Sequence, residues 1–296
     1  MDKSLLIIGG SNIDYIATSK DKILSGVSNI GKVNISFGGV ARNICENLAR
    51  LGNKIDFITT IGNDLYGNNL YKQLKDLNVN VIFPKVNLNS SSYLAINDNN
   101  HDLALAVCDN EIINYLDKEF LGNYNNLILS HEYIILDANL NSETIDYIFN
   151  LYFHKKIIVD AISPTKILKF KKHLSNIYLL KCNKFEARAL VNDESSNASL
   201  VKKLLEYGVK NVVISFGASD IYYGSKDEIG IIKNELITDF INTTGCGDAL
   251  TSGIIDHFIV LNQKLKESII FGNKLSKITL MSSSSTSKEI SKYAHL

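Results

Sequence analysis

The sequence predicts an α/β fold, a mostly parallel central sheet flanked by helices in a Rossmann-like three-layer arrangement, with a small antiparallel β lid. Three observations carry this. Apolar runs of strand length recur along the 296 residues, and segments of helical spacing alternate with several of them. Two regions, about 12–37 and 92–108, break the alternation with strand-like pieces and no helix between. Strands buried on both faces read as continuous apolar runs, which is the mark of a parallel sheet covered by helices.

Leu5 to Ile8 is the first such run. Asn12 to Thr18 and Lys32 to Phe37 follow as the first lid pieces. From Val40 to Leu51 the residues Ala41, Ile44, Leu48 and Leu51 fall on one helical face. Strands at Ile55 to Ile61 and Val79 to Phe83 bracket a second helix, Tyr66 to Leu77. Ser92 to Ile96 and Leu103 to Val107 form the second lid pair, with Asn97-Asp98-Asn99-Asn100 as a hairpin turn. Four more strands are expected at Tyr133 to Leu136, Lys156 to Val159, Ile177 to Leu180 and Val212 to Phe216, with a short helix from Leu200 to Tyr207. After the glycines near 245, Leu250, Ile254, Phe258 and Leu261 make a last stripe, and Ser282 to Ser285 reads as a surface turn. Without a linker or repeat, residues 1–296 read as a single domain.

Thirty-one basic residues balance 31 acidic ones. A net charge of zero gives no broad attraction to phosphate backbones or anionic lipid, so neither nucleic acid nor membrane is an expected partner. The four cysteines (Cys45, Cys108, Cys182, Cys246) are far apart, with no metal-ligand spacing, which fits a reducing compartment. Met1-Asp2-Lys3-Ser4 leads into an apolar run too short for a signal segment, so a cytoplasmic location is expected.

The densest chemical signal is Asn242-Thr243-Thr244-Gly245-Cys246-Gly247-Asp248, between a strand-like segment and a helical stripe. Glycines let backbone N–H groups turn toward a ligand, and a helix start adds free donors and a positive dipole end. Asp248 at that spot suits a base that takes a proton from an attacking hydroxyl; the same spelling also suits Thr243 or Thr244 as a plain helix cap. A second glycine turn, Phe37-Gly38-Gly39-Val40-Ala41-Arg42-Asn43, also leads into a helix. It permits close backbone approach, with Asn43 as a donor and acceptor for hydroxyls, and it also reads as a tight turn. No P-loop spelling occurs, and Gly9-Gly10 lacks the third glycine and the helix of a dinucleotide fingerprint.

Together the two turns resemble the signatures of the PfkB, or ribokinase-like, carbohydrate kinases, over essentially the whole chain. Ile61-Gly62-Asn63-Asp64-Leu65-Tyr66-Gly67 and Asn183-Lys184-Phe185-Glu186 match two further family segments. Within the family the spelling of Gly39 to Gly52, Ser92 to Ile96, Leu136 to Leu140 and Val159 to Lys166 is most similar to the pseudouridine kinases. The resemblance implies an ATP-dependent kinase acting on the 5′-hydroxyl of a nucleoside, pseudouridine first, with a ribokinase or another sugar or nucleoside kinase as the alternative. A catalytically silent sugar-binding regulator is the reading from a different class. The resemblance assigns Asp248 as base and Gly245, Cys246 and Gly247 as the anion hole. Asn12, Asp14, Gly38, Gly39, Asn43 and Tyr93 would bind the substrate. Asn183, Glu186, Ser215, Gly217, Thr244, Asn273 and Lys166 would face ATP, with Glu186 holding Mg²⁺ through water. It also implies a homodimer formed through the lid.

Three departures from the pattern stand out. Asn242 replaces an Asp that helps hold K⁺ in many relatives, which leaves a monovalent cation open. Cys246 replaces Ala or Gly, and a thiol at a helix N-terminus is expected to have a lowered pKa. Asp220 stands where a second glycine follows Ser215-Phe216-Gly217, so the nucleotide-side turn is expected to differ.

Overall fold

The computed structural model describes residues 4–100, 102–192 and 196–295. Met1 to Lys3, the lead into the first strand, lie outside the described residues. Among those described, the strands are β1 (Leu5–Ile8), β2 (Asn12–Ser19), β3 (Gly31–Gly38), β4 (Ile55–Ile58), β5 (Asn80–Ile82), β6 (Ser92–Asn97) and β7 (Leu103–Asp109). Six more follow: β8 (Tyr133–Asp137), β9 (Lys156–Asp160), β10 (Ile177–Asn183), β11 (Asn211–Ser215), β12 (Ile221–Ser225) and β13 (Ile229–Ile232).

The main sheet runs β13-β12-β11-β10-β9-β8-β1-β4-β5. Every pair from β11 to β5 is parallel, and β12 and β13 add an antiparallel edge. Alternation along β1 divides the core into two layers. Leu5 and Ile7 join one apolar cluster with Ile44, Leu48 and Ile254; Leu6 and Ile8 join the other with Ile145, Ile148 and Leu190. The strand order reverses beside β1, whose neighbours are β4 on one side and β8 on the other. In open α/β sheets the crevice past the strand ends at such a reversal is where ligands bind.

The second sheet runs β3-β2-β6-β7. Its two outer pairs are antiparallel, as expected of the lid hairpins, and its central pair β2–β6 is parallel. Both central strands continue from the C-terminal ends of parallel strands, β2 from β1 and β6 from β5, so they leave the body in the same direction. At the hairpin tip, Asp98 Oδ1 accepts from the amides of Asn100 (2.8 Å) and Asp102 (3.0 Å).

Two stretches depart from the expected helices. The helix Cys246–Ile254 continues into a π-helical turn, Ile255–Val260. The wider turn shifts the buried stripe to Ile255 and Ile259 and leaves Leu261 37% exposed. The 16-residue helix Leu265–Leu280 has no clear sequence signature, because Ser268, Gly272 and Thr279 share its buried face with Leu265, Ile269 and Leu275. The Ser282 to Ser285 turn is not wholly at the surface: Ser285 is buried against the glycine turn at 245.

Candidate active site

Gly245 precedes the helix Cys246–Ile254 with φ 82°, in the left-handed region. A Cβ there would lie 1.8 Å from the Ser285 carbonyl oxygen, so only glycine fits. No side chain caps this helix, and its Cys246 amide makes a long contact, 3.4 Å, to the Thr243 carbonyl, so the helix start can still donate to a ligand. Asp248 sits in its first turn, buried, and its Oδ2 accepts from Asn43 Nδ2 at 2.7 Å. Burial pushes the Asp248 carboxyl up to about 7, aided by the nearby Asp160 charge and opposed by Lys181 and the Asn43 hydrogen bond. A carboxyl with that affinity titrates near neutrality, the range in which proton transfer is efficient.

Lys181 and Asp160 complete the neighbourhood. Lys181 Nζ is 3.2 Å from Asp160 Oδ2, which also accepts from Thr251 Oγ1 at 2.7 Å. The ammonium lies directly beneath Gly247, where an added Cβ would meet Nζ at 2.7 Å. Asp160, Asp248 and Glu186 all hold Lys181 in its charged form against the cost of burial, and its pKa is raised. Lys181 is a residue that motif reasoning passed over, although a lysine inside the apolar run of β10 is itself a signal, since buried lysines are almost always paired.

A cavity of about 500 Å³ opens on one side of the Asp248 turn. Asn12, Asp14, Gly39, Asn43 and Tyr93 line it, together with Thr244, Gly245 and Asp248. Thr244 and Lys166, both assigned above to the ATP side, line this cavity and not the one across the turn, and Lys166 donates to Asn139 Oδ1 at 2.6 Å. Asn12 Nδ2 donates to Asp14, whose carboxyl burial pushes up to about 6 against the pull of Arg42 and that hydrogen bond. Gly38 does not line the cavity; it makes room for Asp14, whose carboxylate oxygen would be 2.1 Å from an added Cβ. Gly39 has φ 96° and passes so close to Gly10 that a Cβ would meet its carbonyl oxygen at 2.6 Å. Asp137 at the end of β8 pins this junction, its Oδ2 accepting from the amides of Gly10 and Ala41, both at 3.1 Å. Ile162 on the rim has φ 65°, a strained value for a β-branched residue, of the kind that clusters at ligand sites.

On the other side of the turn lies a cavity of about 320 Å³, lined by Ser215, Gly217, Asn273, Thr243, Cys246 and Gly247 among others. Asp220 lies behind the lining residue Asn234, accepting from its backbone amide at 3.2 Å and from Lys233 Nζ at 2.7 Å. Asn234 Oδ1 in turn accepts from Asn273 Nδ2 at 3.2 Å. Cys246 does not have the lowered pKa expected of a helix N-terminus. Burial pushes its thiol up to about 11, with the Asp248 charge adding to the shift and Ser276 opposing it. Asn242 uses its side-chain oxygen locally, accepting from the Thr244 amide at 3.0 Å.

Asn183 and Glu186 lie outside both linings. They form a capping box on the helix Lys184–Val191, at the end of β10 and level with Ser215. Asn183 Oδ1 accepts from the amides of Phe185 (2.8 Å) and Glu186 (3.0 Å), and Glu186 Oε2 accepts from the Asn183 amide at 2.6 Å. Burial raises the Glu186 pKa, opposed by Lys181. Among the described residues no three His, Cys, Asp or Glu converge as a metal cage. Glu186, a single carboxylate near this end of the sheet, fits a magnesium ion held mainly by phosphate and water, the usual habit of Mg²⁺.

Comparison with known proteins places nearly the whole chain among related kinases. A family model described as pfkB family carbohydrate kinase matches residues 2–292. The chain is 31% identical over 284 residues to a pseudouridine kinase of Escherichia coli K12, covering 93% of this chain and 90% of that protein. It is 24% identical to a ribokinase of Dictyostelium discoideum, covering 95% of each. Among solved structures it is similar to a carbohydrate kinase from Agrobacterium tumefaciens, with TM-score 0.84, 27% identity, and 98% and 96% of the two chains covered.

Proposed function

Because the chain belongs to the pfkB family of carbohydrate kinases, we propose that it transfers the γ-phosphoryl group of ATP to the 5′-hydroxyl of pseudouridine, giving pseudouridine 5′-phosphate and ADP. The observation that carries the chemistry is the Thr243 to Asp248 turn, which lines both cavities and sets a buried carboxylate beside uncapped helix amides. The choice of pseudouridine rests on the similarity to a pseudouridine kinase over most of both chains.

In this reading the nucleoside occupies the larger cavity, its ribose hydroxyls facing Asn12, Asp14 and Gly39 and its base near Tyr93. The ATP phosphates reach the turn from the smaller cavity. Asp248 takes the proton of the 5′-hydroxyl as that oxygen bonds to the γ-phosphorus and the bond to the ADP oxygen breaks. Amides of Gly245, Cys246 and Gly247 donate to the phosphoryl oxygens, and the Lys181 charge behind them favours the same negative charge. Magnesium, when bound, neutralises phosphate charge, and Glu186 would hold it through water. Closure of the lid excludes water that would otherwise hydrolyse ATP.

A panel of pseudouridine, uridine, adenosine, ribose and fructose, with coupled detection of ADP, tests the substrate. The highest kcat/KM is expected with pseudouridine. Preference for free ribose would replace this reading with the ribokinase one.

A second copy of the chain is the proposed occupant of the outer lid face. Ile35, Leu94 and Val107 form one cross-strand row there, and Val33 and Leu105 belong to the next. All five are exposed, Val33 at 63%. An apolar sheet face of that kind marks an association surface. Light scattering should give twice the 32.9 kDa chain mass, and glutamate at Leu105 and Val107 should return it to the monomer. A wild-type monomer at tens of micromolar would refute the pairing.

A further inference from the structure

We propose that Arg42 and Ser285 are positioning residues for Asp248, acting through the side-chain amide of Asn43. The proposal rests on the reading of Asp248 as the base and assigns a role to the serine turn that the reaction scheme leaves unused.

An asparagine amide has one accepting and one donating end, and rotation by half a turn exchanges them. At Asn43 the surroundings permit one orientation. Arg42 Nη1 lies 2.8 Å from Asn43 Oδ1, and a guanidinium can only donate. Ser285 Oγ approaches the same oxygen at 3.0 Å. With Oδ1 held on that side, the NH₂ must face Asp248 Oδ2, to which it donates at 2.7 Å. A flipped amide would set donor against donor at Arg42 and acceptor against acceptor at Asp248, in a site where all four side chains are buried.

The lock is itself fixed. Arg42 Nη1 also donates to the Phe37 carbonyl at 2.8 Å. Its Nη2 donates to Glu46 and, at 3.1 Å, to Gln73 Oε1. Glu46 is held from its other side by Arg50, at 2.9 and 2.6 Å. The single hydroxyl proton of Ser285 has two acceptors in reach, Asn43 Oδ1 and the Phe37 carbonyl, both at 3.0 Å. Ser285 also supplies the carbonyl that packs on Gly245, so one residue buttresses both the anion-binding turn and the base.

A fixed donor favours the ionised form of Asp248, which is the form that accepts a proton. The other charges facing Asp248 are Asp160 from β9, Asp137 from β8 and Lys181 from β10. None of them contacts Ser285 among the hydrogen bonds and ion pairs of the described residues, so substitution of Ser285 isolates the amide.

The test is a carboxyl ¹³C titration of aspartate-labelled protein, with Asp248→Asn identifying the resonance. Asn43→Leu should raise the Asp248 midpoint by about one to two pH units, the effect of losing a donor to a charged acceptor. Ser285→Ala should raise it by a smaller step, of order half a unit, and Ser285→Thr should keep the wild-type midpoint. In the Asn43→Leu background Ser285→Ala should have no further effect. The double variant Arg42→Gln with Glu46→Gln, which removes both halves of the buried ion pair, should behave like Ser285→Ala; if it does not fold, Ser285→Ala decides alone. An unmoved midpoint in Ser285→Ala, or an equal shift with and without Asn43, overturns the proposal. The titration needs no turnover, so its failure is distinct from failure of the kinase reading, which would appear as retained activity in Asp248→Ala.

Discussion

Asp248→Ala should lower kcat by about 10²–10⁴-fold, the usual contribution of a positioned base, and leave the dissociation constants of nucleoside and ATP nearly unchanged. Binding groups on both sides of the turn survive the change, so the loss falls on the chemical step. Retention of turnover within about tenfold of wild type would remove Asp248 from the base role. Because burial holds its carboxyl near 7, wild-type kcat/KM should fall as pH drops below neutrality, and a residual rate in the variant should lack that limb. The same shift has a consequence for stability. An acid whose pKa is higher in the folded than in the unfolded chain makes its full contribution below the unfolded value. That contribution is lost as pH rises through the folded value. Asp248→Asn should therefore melt several degrees above wild type at pH 8 and show little difference at pH 4. A variant that loses catalysis while gaining stability is the signature of a group kept for function.

Gly245→Ala should be the most damaging single methyl in the protein. The residue has φ 82°, a conformation costing a non-glycine residue on the order of 1–3 kcal/mol. Its Cβ would also lie 1.8 Å from the Ser285 carbonyl oxygen. That obstacle is backbone, and it belongs to the residue that steadies Asn43. Relief requires the turn to leave its place over Lys181 or the serine loop to move outward, and either change spoils the anion site. A fall in melting temperature together with loss of ATP binding by calorimetry is the expected pair of results. Wild-type melting and wild-type kcat in Gly245→Ala would show that the turn adapts freely.

The sequence made the parallel strands legible because burial on both faces leaves unbroken apolar runs, as in Leu5 to Ile8 and Tyr133 to Leu136. It did not reveal β12 and β13. Tyr222, Gly224 and Gly230 interrupt their apolar pattern, and an antiparallel edge with one covered face needs no continuous run. Within the site, the glycine turns were legible because φ above zero and close backbone approach restrict residue type locally. The Asn183 and Glu186 pair was legible as a spacing, and the structure gives that spacing a helix-capping role. The long-range partners of Asn43 and Asp160 were hidden for another reason. Ser285 reaches Asn43 across 242 positions, and Thr251 reaches Asp160 across 91. Neither residue type nor local period constrains such contacts, so Ser285 looked like a surface serine. Cys246 shows the limit of local rules: a helix N-terminus favours the thiolate, and burial outweighs it.

The turn from Thr243 to Asp248 is the party wall of two chambers, Thr243, Cys246 and Gly247 facing one and Thr244, Gly245 and Asp248 the other. Two ligands that pressed on one short segment would be thermodynamically coupled wherever the segment responded to both. Whatever factor bound nucleotide applies to the acceptor's affinity, the acceptor must return to the nucleotide. The order in which the two arrive then changes the kinetic route but not the ternary complex they reach, and drift in this one wall would register in both affinities at once.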